Sequence, residues 1–400
     1  MRPRLMMVGG FAEAYRAAVA CGFELTVVQN RTDLTPEDIA LLDRLITSPI
    51  NAPIVVDLAE TLHRAEPFAA VVSFQEHGVL NAALIQQRLG VPGNPLRPVE
   101  LTRDKGRMRE HLRERGLATV EHLTTTSADE VRAFGEKVGW PVILKPIGGS
   151  ASRQVHRLGG PGEVTAALAD NLAVNPGLPV IVEAFAVGPE VSVEAVSWEG
   201  RHRVLAVTDK LTTGAPHYVE TGHTMPSRLP GERIAAAEQA TVDFLDSIGH
   251  RYGPSHTEVI VTADGPVIVE SHTRTGGDRI FELVELVTGV DMFAAVLAGF
   301  AGAFPDHVLA GPPPRGAQGG AAIRYFDVGA GTVGAVHGLA QAERSPGVLR
   351  VESGLAVGKD VPPLRMSHDR QGYVLAVGAS AEEAAERAAA AVRLIRVDLV

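Results

Sequence analysis

Short apolar runs alternate with amphipathic stretches over the first 95 residues of the chain. The runs LMMVGG, ELTVV, APIVVD and AAVVSF are each followed by a segment in which apolar residues have helical spacing. Thr35-Pro36-Glu37-Asp38 favours a helix start, because it offers an N-cap, a proline in the first turn and acidic side chains. Apolar runs that alternate with helices predict a small α/β unit with a parallel sheet.

The pattern changes after the chain breakers at residues 90–95. A helical segment carries Lys105, and a Ser127 to Glu130 capping box then opens a compact α+β module with the strand-like runs PVILKP, PVIVEAF and EVSVEAV. Further strands and helices follow, and Pro312-Pro313-Pro314 marks a linker. The predicted divisions are an N-terminal α/β domain (1–95), a helical connection (96–119), an α+β module (120–195), a region of strands followed by helices (196–310) and a C-terminal subdomain (311–400).

The composition excludes some classes of binding partner and indicates a cellular compartment. The chain has 37 Lys and Arg against 47 Asp and Glu, a net charge of −10, and no basic run, so nucleic acid is not expected as a partner. The single cysteine, Cys21, excludes an intramolecular disulfide and a thiolate zinc cage, and favours a reducing, cytoplasmic location. The longest uncharged apolar stretch, residues 292–304, is too short to cross about 30 Å of hydrocarbon, so no membrane partner is expected.

Two further motif matches do not indicate the function that each motif usually has. Residues 329–334, GAGTVG, match GxGxxG but lie late in the chain without a clear βαβ unit, so a turn is predicted. His256-Thr257-Glu258 matches half of a zinc deaminase signature, whose other half requires two cysteines.

Lys145 ends an apolar run and is followed directly by Gly148-Gly149-Ser150-Ala151-Ser152-Arg153. Small residues let backbone N–H groups approach phosphate oxygens, and a lysine supplies the compensating charge. Taken alone, the motif is equally typical of a surface hairpin. Glu183 and Glu190 flank a Gly-Pro turn further on, where carboxylates can accept hydrogen bonds from ribose or lie in solvent at strand ends.

Glu258 and Glu270 form the strongest predicted pair. They lie in HTEVIVTADGPVIVESHTRTGG, which predicts a hairpin centred at residue 264 with the two carboxylates opposite each other. Hard carboxylate oxygens without thiolates suit Mg²⁺ bound together with phosphates. His272 and Arg274 follow on the same face, and Gly276-Gly277 precedes a predicted helix whose N-terminus attracts anions. Together these groups indicate phosphoryl transfer.

With these motifs in place, most of the chain resembles the ATP-grasp superfamily. Within that superfamily it is most similar to the L-amino-acid ligases, the dipeptide-forming group that includes bacilysin synthetase. Residues 270–280, ESHTRTGGDRI, carry the family's glutamate, helper residue, arginine and paired glycines. The resemblance implies an ATP-grasp fold, with an N-terminal Rossmann-like α/β domain, a small lid domain and a C-terminal antiparallel-sheet domain.

The resemblance also implies a role for each candidate residue. Lys105, Lys145 and the loop residues Gly148, Gly149, Ser150 and Ser152 would bind ATP phosphates, Glu183 and Phe185 would lie at the adenine, and Glu190 would bind ribose. Glu258, Glu270 and His272 would hold Mg²⁺, or alternatively Mn²⁺, although His272 stands where many members have asparagine. Arg274, with Lys145, would be catalytic. The substrate residues would be Glu76, Glu220, His223, Arg274, Gly277 and Asp278, with a helix N-cap as the alternative for Asp278.

The expected activity is amide formation from a carboxylate and an amine, through an acyl phosphate, with release of ADP and phosphate. Small molecules, amino acids above all, are the expected partners, and a homodimer is the family expectation. Two alternatives stay open at this stage: an ATP-grasp reaction on bicarbonate through carboxyphosphate, and a nucleotide-binding module without catalysis.

Overall fold

The computed structural model describes residues 2–117, 119–148, 154–310 and 318–400. The first unit is a four-stranded parallel sheet with the strand order β3-β2-β1-β4. Its strands are β1 (Arg4–Val8), β2 (Glu24–Gln29), β3 (Arg44–Thr47) and β4 (Ala70–Val72). Its helices are α1 (Ala12–Ala20), α2 (Pro36–Ala40), α3 (Ile54–Ala65) and α4 (Val79–Leu89), and a 3-10 helix covers Arg31–Asp33. The predicted N-cap is present at the start of α2, where Thr35 and Asp38 each accept from the other's backbone N–H and so form a capping box.

A four-stranded antiparallel sheet with the order β5-β8-β6-β7 follows, and we call it the small sheet. It is preceded by α5 (Leu96–Arg103) and α6 (Lys105–Glu114). The elements of this unit are β5 (His122–Thr125), α7 (Ala128–Val138), β6 (Val142–Pro146), β7 (His156–Leu158), a 3-10 helix (Pro161–Glu163), α8 (Val164–Val174) and β8 (Val180–Ala184). Its helices pack their apolar side chains on one face of the sheet and form a separate core.

An eight-stranded sheet, which we call the large sheet, has the order β13-β12-β9-β10-β11-β14-β18-β16. Its strands are β9 (Glu190–Trp198), β10 (Arg201–Thr212), β11 (Glu220–Met225), β12 (Gly253–Thr262), β13 (Gly265–His272), β14 (Gly320–Tyr325), β16 (Val348–Ser353) and β18 (Gly372–Gly378). A separate three-stranded sheet consists of β15 (Gly331–His337), β17 (Asp360–Val361) and β19 (Arg396–Leu399). The helices are α9 (Gly231–Ile248), α10 (Ile280–Thr288), α11 (Met292–Phe300), α12 (Asp306–Leu309), α13 (Leu339–Glu343) and α14 (Ala381–Val392), with a 3-10 helix at Ser367–Asp369.

Apolar cores lie on both sides of the large sheet. Residues of α10 and α11 pack with strand residues in one core, and residues of α6 and α9 pack with strand residues in another. Parallel and antiparallel sheets therefore occur together, as the α/β and α+β prediction required. Within the described ranges no single helix is long and apolar enough to cross a membrane, and α10 with α11 reaches that length and composition only as a pair bent by 86°.

Two sequence-based expectations differ from the structure. The run EVSVEAV was expected in the α+β module, but it forms β9 between β10 and β12 of the large sheet. It can lie there because both faces of a central strand are covered, and its residues from Val191 to Ser197 are all buried. The GAGTVG motif was expected as a turn, yet residues 331–334 begin β15, which pairs antiparallel with β17 and β19. The predicted proline linker lies outside the described residues.

Candidate active site

A cavity of about 440 Å³ lies between the small sheet, α6 and the large sheet. It brings together candidate residues that are up to 173 positions apart in the chain, between Lys105 and Asp278. The candidates that line it are Lys105, Lys145, Gly148, Glu183, Phe185, Glu190, Glu220, His223, Glu258, Glu270, His272, Arg274, Gly277 and Asp278. Glu76 lines a neighbouring cavity instead, and Gly149, Ser150 and Ser152 lie outside the described residues.

The wall formed by the small sheet carries a buried ion triad. Glu183 on β8 accepts from Lys145 Nζ at 2.7 Å and from Arg109 Nε at 2.6 Å. Burial raises the pKa of Glu183, but the two cations outweigh it and bring that pKa down to about 2. The carboxylate is therefore ionised. Burial also lowers the pKa of the Lys145 ammonium, while Glu183 opposes this effect.

Arg109 was not predicted from the sequence, although its position offers a signal. It lies four residues after Lys105 on α6, so the two side chains share one face of that helix. Its side chain is 1% exposed, and its guanidinium also donates to the backbone carbonyls of Ile268 and Val269 on β13. Arg109 thus connects the small sheet to the large sheet through Glu183.

The opposite wall is the predicted hairpin of β12 and β13. Glu258 and Glu270 are direct cross-strand partners, as predicted. The turn itself is two residues long, and β13 has a bulge at Val269, opposite Glu258 and Val259, which shifts the register by one residue. The bulge explains why the carboxylates meet although the turn is not centred on residue 264.

Each of these two carboxylates faces a lysine. Lys105 Nζ lies 2.7 Å from Glu270 Oε2, and Lys210 Nζ lies 3.1 Å from Glu258 Oε2. Burial raises the pKa of both glutamates, but the lysines, assisted by neighbouring histidines, hold both values well below the usual range. The lysines therefore relieve the repulsion expected between two like charges on neighbouring strands.

Lys210 was also missed in the sequence. It lies on β10, and its Nζ is 2.8 Å from Glu190 and 3.4 Å from Glu220 as well. Burial raises the pKa of Glu190 to about 7, with a contribution from the nearby Glu258 and against the effect of Lys210. Lys210 thus links Glu190, Glu258 and Glu220, the predicted ribose, metal and substrate residues. The residues around Lys210 in the sequence, Thr208 and Asp209, give no indication of these long-range contacts.

The carboxylate oxygens of Glu258 and Glu270 are suited to a cation that also binds phosphate oxygens. Over the described residues no group of three or more His, Cys, Asp or Glu side chains is arranged to hold a metal. Two adjacent carboxylates nevertheless fit Mg²⁺, which takes few protein ligands and completes its shell with water and phosphate oxygens. His272 is less suited as a ligand, because its two ring nitrogens lie 2.8 Å from Glu76 and 3.2 Å from Glu270.

Arg274 lies at the end of the cavity away from the small sheet. Its Nε donates to Glu76 Oε2 at 3.0 Å, and Arg103 Nη1 binds the other oxygen of Glu76 at 3.0 Å. Burial raises the pKa of Glu76, but His272, Arg274 and Arg103 together lower it below its usual range. Glu76 is thus an ionised anchor that orients Arg274.

Asp278 is fixed by residues from two other segments. Arg370 donates to its two oxygens at 2.7 and 2.5 Å, and His223 Nε2 lies 3.0 Å away. The Arg370 guanidinium in turn lies 3.7 Å from the ring centroid of Tyr325. Arg279, rather than Asp278, is the N-cap of α10, so the helix-cap alternative for Asp278 is wrong. Arg370 was not predicted.

Three family models match consecutive parts of the chain. They are the ATP-grasp N-terminal domain over residues 15–93, the ATP-grasp domain over residues 138–282 and the L-amino acid ligase C-terminal domain 2 over residues 324–400. These matches confirm the resemblance that the sequence motifs indicated.

Individual proteins agree with these matches. An uncharacterized protein y4rH of Sinorhizobium fredii is 28% identical over 90% of this chain and 72% of its own length. Carnosine synthase 1 of Gallus gallus is 26% identical over 70% of this chain, which spans only 32% of that protein. The crystal structure of L-amino acid ligase from Bacillus licheniformis superposes with a TM-score of 0.86 and 22% identity, over 100% of both chains, which confirms the predicted ATP-grasp fold. The chain therefore matches the ATP-grasp N-terminal domain and the ATP-grasp domain over residues 15–93 and 138–282, and the L-amino acid ligase C-terminal domain 2 over residues 324–400.

Proposed function

We propose that the protein is an ATP-dependent carboxylate-amine ligase that joins two amino acids or closely related compounds. The observation that carries this proposal is the shared cavity, in which three lysines, a cross-strand carboxylate pair and Arg274 meet. A site that only binds a nucleotide has no need of Arg274 beside the metal carboxylates. The similarity to L-amino acid ligase and carnosine synthase supports the same reaction class.

In the first step a substrate carboxylate oxygen attacks the γ-phosphorus of ATP. The bond from that phosphorus to the bridging oxygen breaks, and ADP leaves with the electron pair. In the second step the amine nitrogen attacks the acyl carbon, the bond to the phosphate oxygen breaks, and inorganic phosphate leaves as the amine loses a proton. The products are an amide, ADP and phosphate.

The ion pairs at the site suggest how its charges are exchanged when ATP binds. Lys145 can turn from Glu183 to a phosphate without leaving that glutamate unpaired, because Arg109 still binds it at 2.6 Å. Lys105 can likewise leave Glu270 once a cation occupies the carboxylate pair. Bound Mg²⁺ would supply charge neutralisation on the phosphates, with Glu258 and Glu270 as its protein ligands. Arg274, oriented by Glu76, would stabilise the oxyanion of the tetrahedral adduct.

The test is amide formation by two site variants. Glu270→Gln removes a metal carboxylate, and Arg274→Ala removes the oxyanion partner, so each is expected to reduce turnover at least 100-fold, an effect on the order of the 10²–10³ lost with one oxyanion donor. The assay supplies MgATP with the twenty proteinogenic amino acids and measures ADP, AMP and product mass. Glu343→Gln and Arg344→Ala, both on exposed side chains remote from the cavity, serve as controls.

Near-normal turnover by either site variant would contradict the proposal. Release of AMP and pyrophosphate in place of ADP and phosphate would indicate adenylating chemistry and would exclude the acyl phosphate. Circular dichroism and a thermal melt establish that each variant is folded before its activity is interpreted.

A further inference from the structure

Two histidines lie next to the carboxylate pair on the hairpin of β12 and β13. His256 precedes Glu258 by two positions, His272 follows Glu270 by two, and the histidines are cross-strand partners just as the glutamates are. Side chains two positions apart on a strand project from the same face of the sheet. All four residues line the cavity, and the two imidazole centroids lie 6.1 Å apart. The hairpin therefore presents a row of carboxylates and a neighbouring row of imidazole rings to the site.

His256 lies between one carboxylate of the pair and a third carboxylate. Its Nε2 is 3.6 Å from Glu258 Oε1, and its Nδ1 is 2.8 Å from Glu194 Oε1. His272 has the same relation to the other carboxylate of the pair and to Glu76. Both nitrogens of each ring thus face carboxylates, so neither ring directs a free nitrogen at a cation. The two histidines are placed to orient the carboxylates and not to replace them as ligands.

Glu194 can act on the site only through His256. It lies on β9, is the cross-strand partner of His256 and is fully buried. Its second oxygen, Oε2, has no hydrogen-bond partner among the described residues. A buried carboxylate is costly unless another group pairs with it. The pairing with His256 therefore accounts for a carboxylate at a strand position whose neighbours, Val193 and Ala195, are apolar and equally buried.

The paired-glycine segment confines the ring of His256 from another direction. A Cβ on Gly276 would lie 2.8 Å from His256 Nδ1. Because Glu194 holds this nitrogen, the ring cannot move aside, and only glycine leaves room for it. The ring is thus enclosed by Glu194 and Gly276, and its Nε2 keeps one direction, toward Glu258.

Glu258 is approached at each of its two oxygens. His256 Nε2 is the neighbour of Oε1, and Lys210 Nζ lies 3.1 Å from Oε2. The plane of the carboxylate therefore depends on both groups. Without His256 the stronger contact with Lys210 alone would set the orientation, and the carboxylate could turn away from Glu270.

We propose that Glu194 and His256 are positioning residues that hold the Glu258 carboxylate in the orientation in which it binds Mg²⁺ together with nucleotide phosphates. This inference rests on the proposed function, which assigns MgATP to the cavity. Outer contacts that orient a metal ligand typically contribute about 10- to 100-fold to metal affinity. The expected effect is therefore on the contribution of the cation to nucleotide binding.

The test measures nucleotide binding without turnover. Isothermal titration calorimetry gives Kd for ADP in excess EDTA and Kd for MgADP at saturating Mg²⁺. Glu194→Met removes the third carboxylate at nearly constant shape. His256→Asn and His256→Gln form a matched pair, because the amide nitrogen of asparagine takes the place of Nδ1, beside Glu194, whereas that of glutamine takes the place of Nε2, beside Glu258.

We expect Glu194→Met and His256→Asn to raise Kd for MgADP about tenfold or more and to leave Kd for ADP in EDTA within about twofold. His256→Gln is expected to keep both values within about threefold of the wild type, because its amide still donates to Glu258. His202→Asn is the matched control. His202 lies on β10 of the same sheet, its side chain is 2% exposed, its Nδ1 is 2.7 Å from Ser197 Oγ, and it does not line the cavity. Both Kd values of this control are expected to equal those of the wild type.

Wild-type affinity for MgADP in both Glu194→Met and His256→Asn would overturn the inference. An equal rise of Kd with and without Mg²⁺ would also overturn it, because it would indicate a general disturbance of the nucleotide site. Equal losses in His256→Asn and His256→Gln would show that the contact with Glu258 is not the cause.

Failure of the ligase function is distinguishable from failure of this inference. A wild-type protein that binds MgADP more tightly than ADP but forms no amide would refute the ligase function, and the differences among the variants would still support the positioning role. Equal Kd values for ADP and MgADP in the wild type would show that the carboxylate pair holds no cation, and the inference would then be wrong.

Discussion

Arg109 shows how one buried side chain supports several groups of the site. It binds Glu183, which in turn binds Lys145, and it reaches two carbonyls of β13. A buried ion pair adds little net stability when it is intact, because desolvation of both charges opposes their attraction. Removal of one partner is costly, since it leaves the other charge buried. The contribution of Arg109 is therefore visible only when it is removed.

We predict that Arg109→Met destabilises the protein by about 3 kcal/mol, the order of magnitude for breaking a buried ion pair. Urea denaturation followed by circular dichroism measures the change. Arg113→Met on the same helix removes an arginine whose side chain is 66% exposed and whose partner is Glu110, so it is expected to leave the denaturation midpoint unchanged. Equal midpoints for the two variants would show that Glu183 does not depend on Arg109.

At the scale of elements, features that depend on the local sequence were predicted, whereas contacts between distant segments were not. The alternation of apolar residues and a turn predicted at residues 263–265 indicated the hairpin, and the pairing of Glu258 with Glu270 followed from it. The bulge was not predictable, because nothing in the GPVIVES run of β13 distinguishes a bulged strand from a regular one. β9 was misplaced for a related reason: an apolar run indicates a buried strand but does not say which sheet it joins.

The residues that the sequence did not reveal come from segments that meet only in the folded chain. Lys210 lies 48 positions before Glu258, and Arg370 lies 92 positions after Asp278. Neither belongs to a local motif, so each looks like an ordinary solvated charge in the sequence. Family resemblance supplied the positions of Lys105, Glu76 and His223, for which spacing alone gave no reason.

The short 3-10 helix Ser367–Asp369 and the residue after it bring the C-terminal subdomain into the site. Ser367 Oγ donates to Glu220 Oε2 at 2.5 Å, and Arg370 binds both oxygens of Asp278. All four of these residues line the cavity. We infer that this segment shapes the substrate pocket and does not contribute to the ATP site.

We predict that Arg370→Gln raises KM for the amino-acid substrate about tenfold or more and leaves KM for ATP within twofold. The physical reason is that Asp278 loses a bidentate partner, so its half-buried carboxylate no longer keeps one orientation. Steady-state kinetics on both substrates measure the split. Arg365→Gln, on an exposed side chain of the same segment, is the control. An equal rise in both KM values would contradict the assignment of this segment to the substrate end.

At the scale of the whole molecule, three sheets contribute to the candidate site. The small sheet and α6 carry Lys145 and Lys105, for which phosphate binding is proposed, the large sheet carries the carboxylate pair, and Glu76 next to Arg274 follows a strand of the parallel sheet. In the proposed reaction an acyl phosphate exposed to water would hydrolyse, so the site would have to be closed while that intermediate exists. The connection from β8 to β9, residues 185–189, is where the small sheet joins the large one, and we infer that it acts as the hinge of this closure.

We predict that MgATP, supplied as a non-hydrolysable analogue, slows amide hydrogen exchange at residues 185–189 several-fold. Phe185 and Ala186 line the cavity, and a Cβ on Gly188 would lie 2.3 Å from the carbonyl oxygen of Val261, so this connection passes close to β12. Nucleotide contacts there would restrict its opening. The loop at residues 327–330 lies away from the cavity lining and is the internal control, because it also connects strands and is largely open to solvent. Equal protection of both loops would indicate general stabilisation of the fold, and no protection at residues 185–189 would show that this connection does not close on the nucleotide.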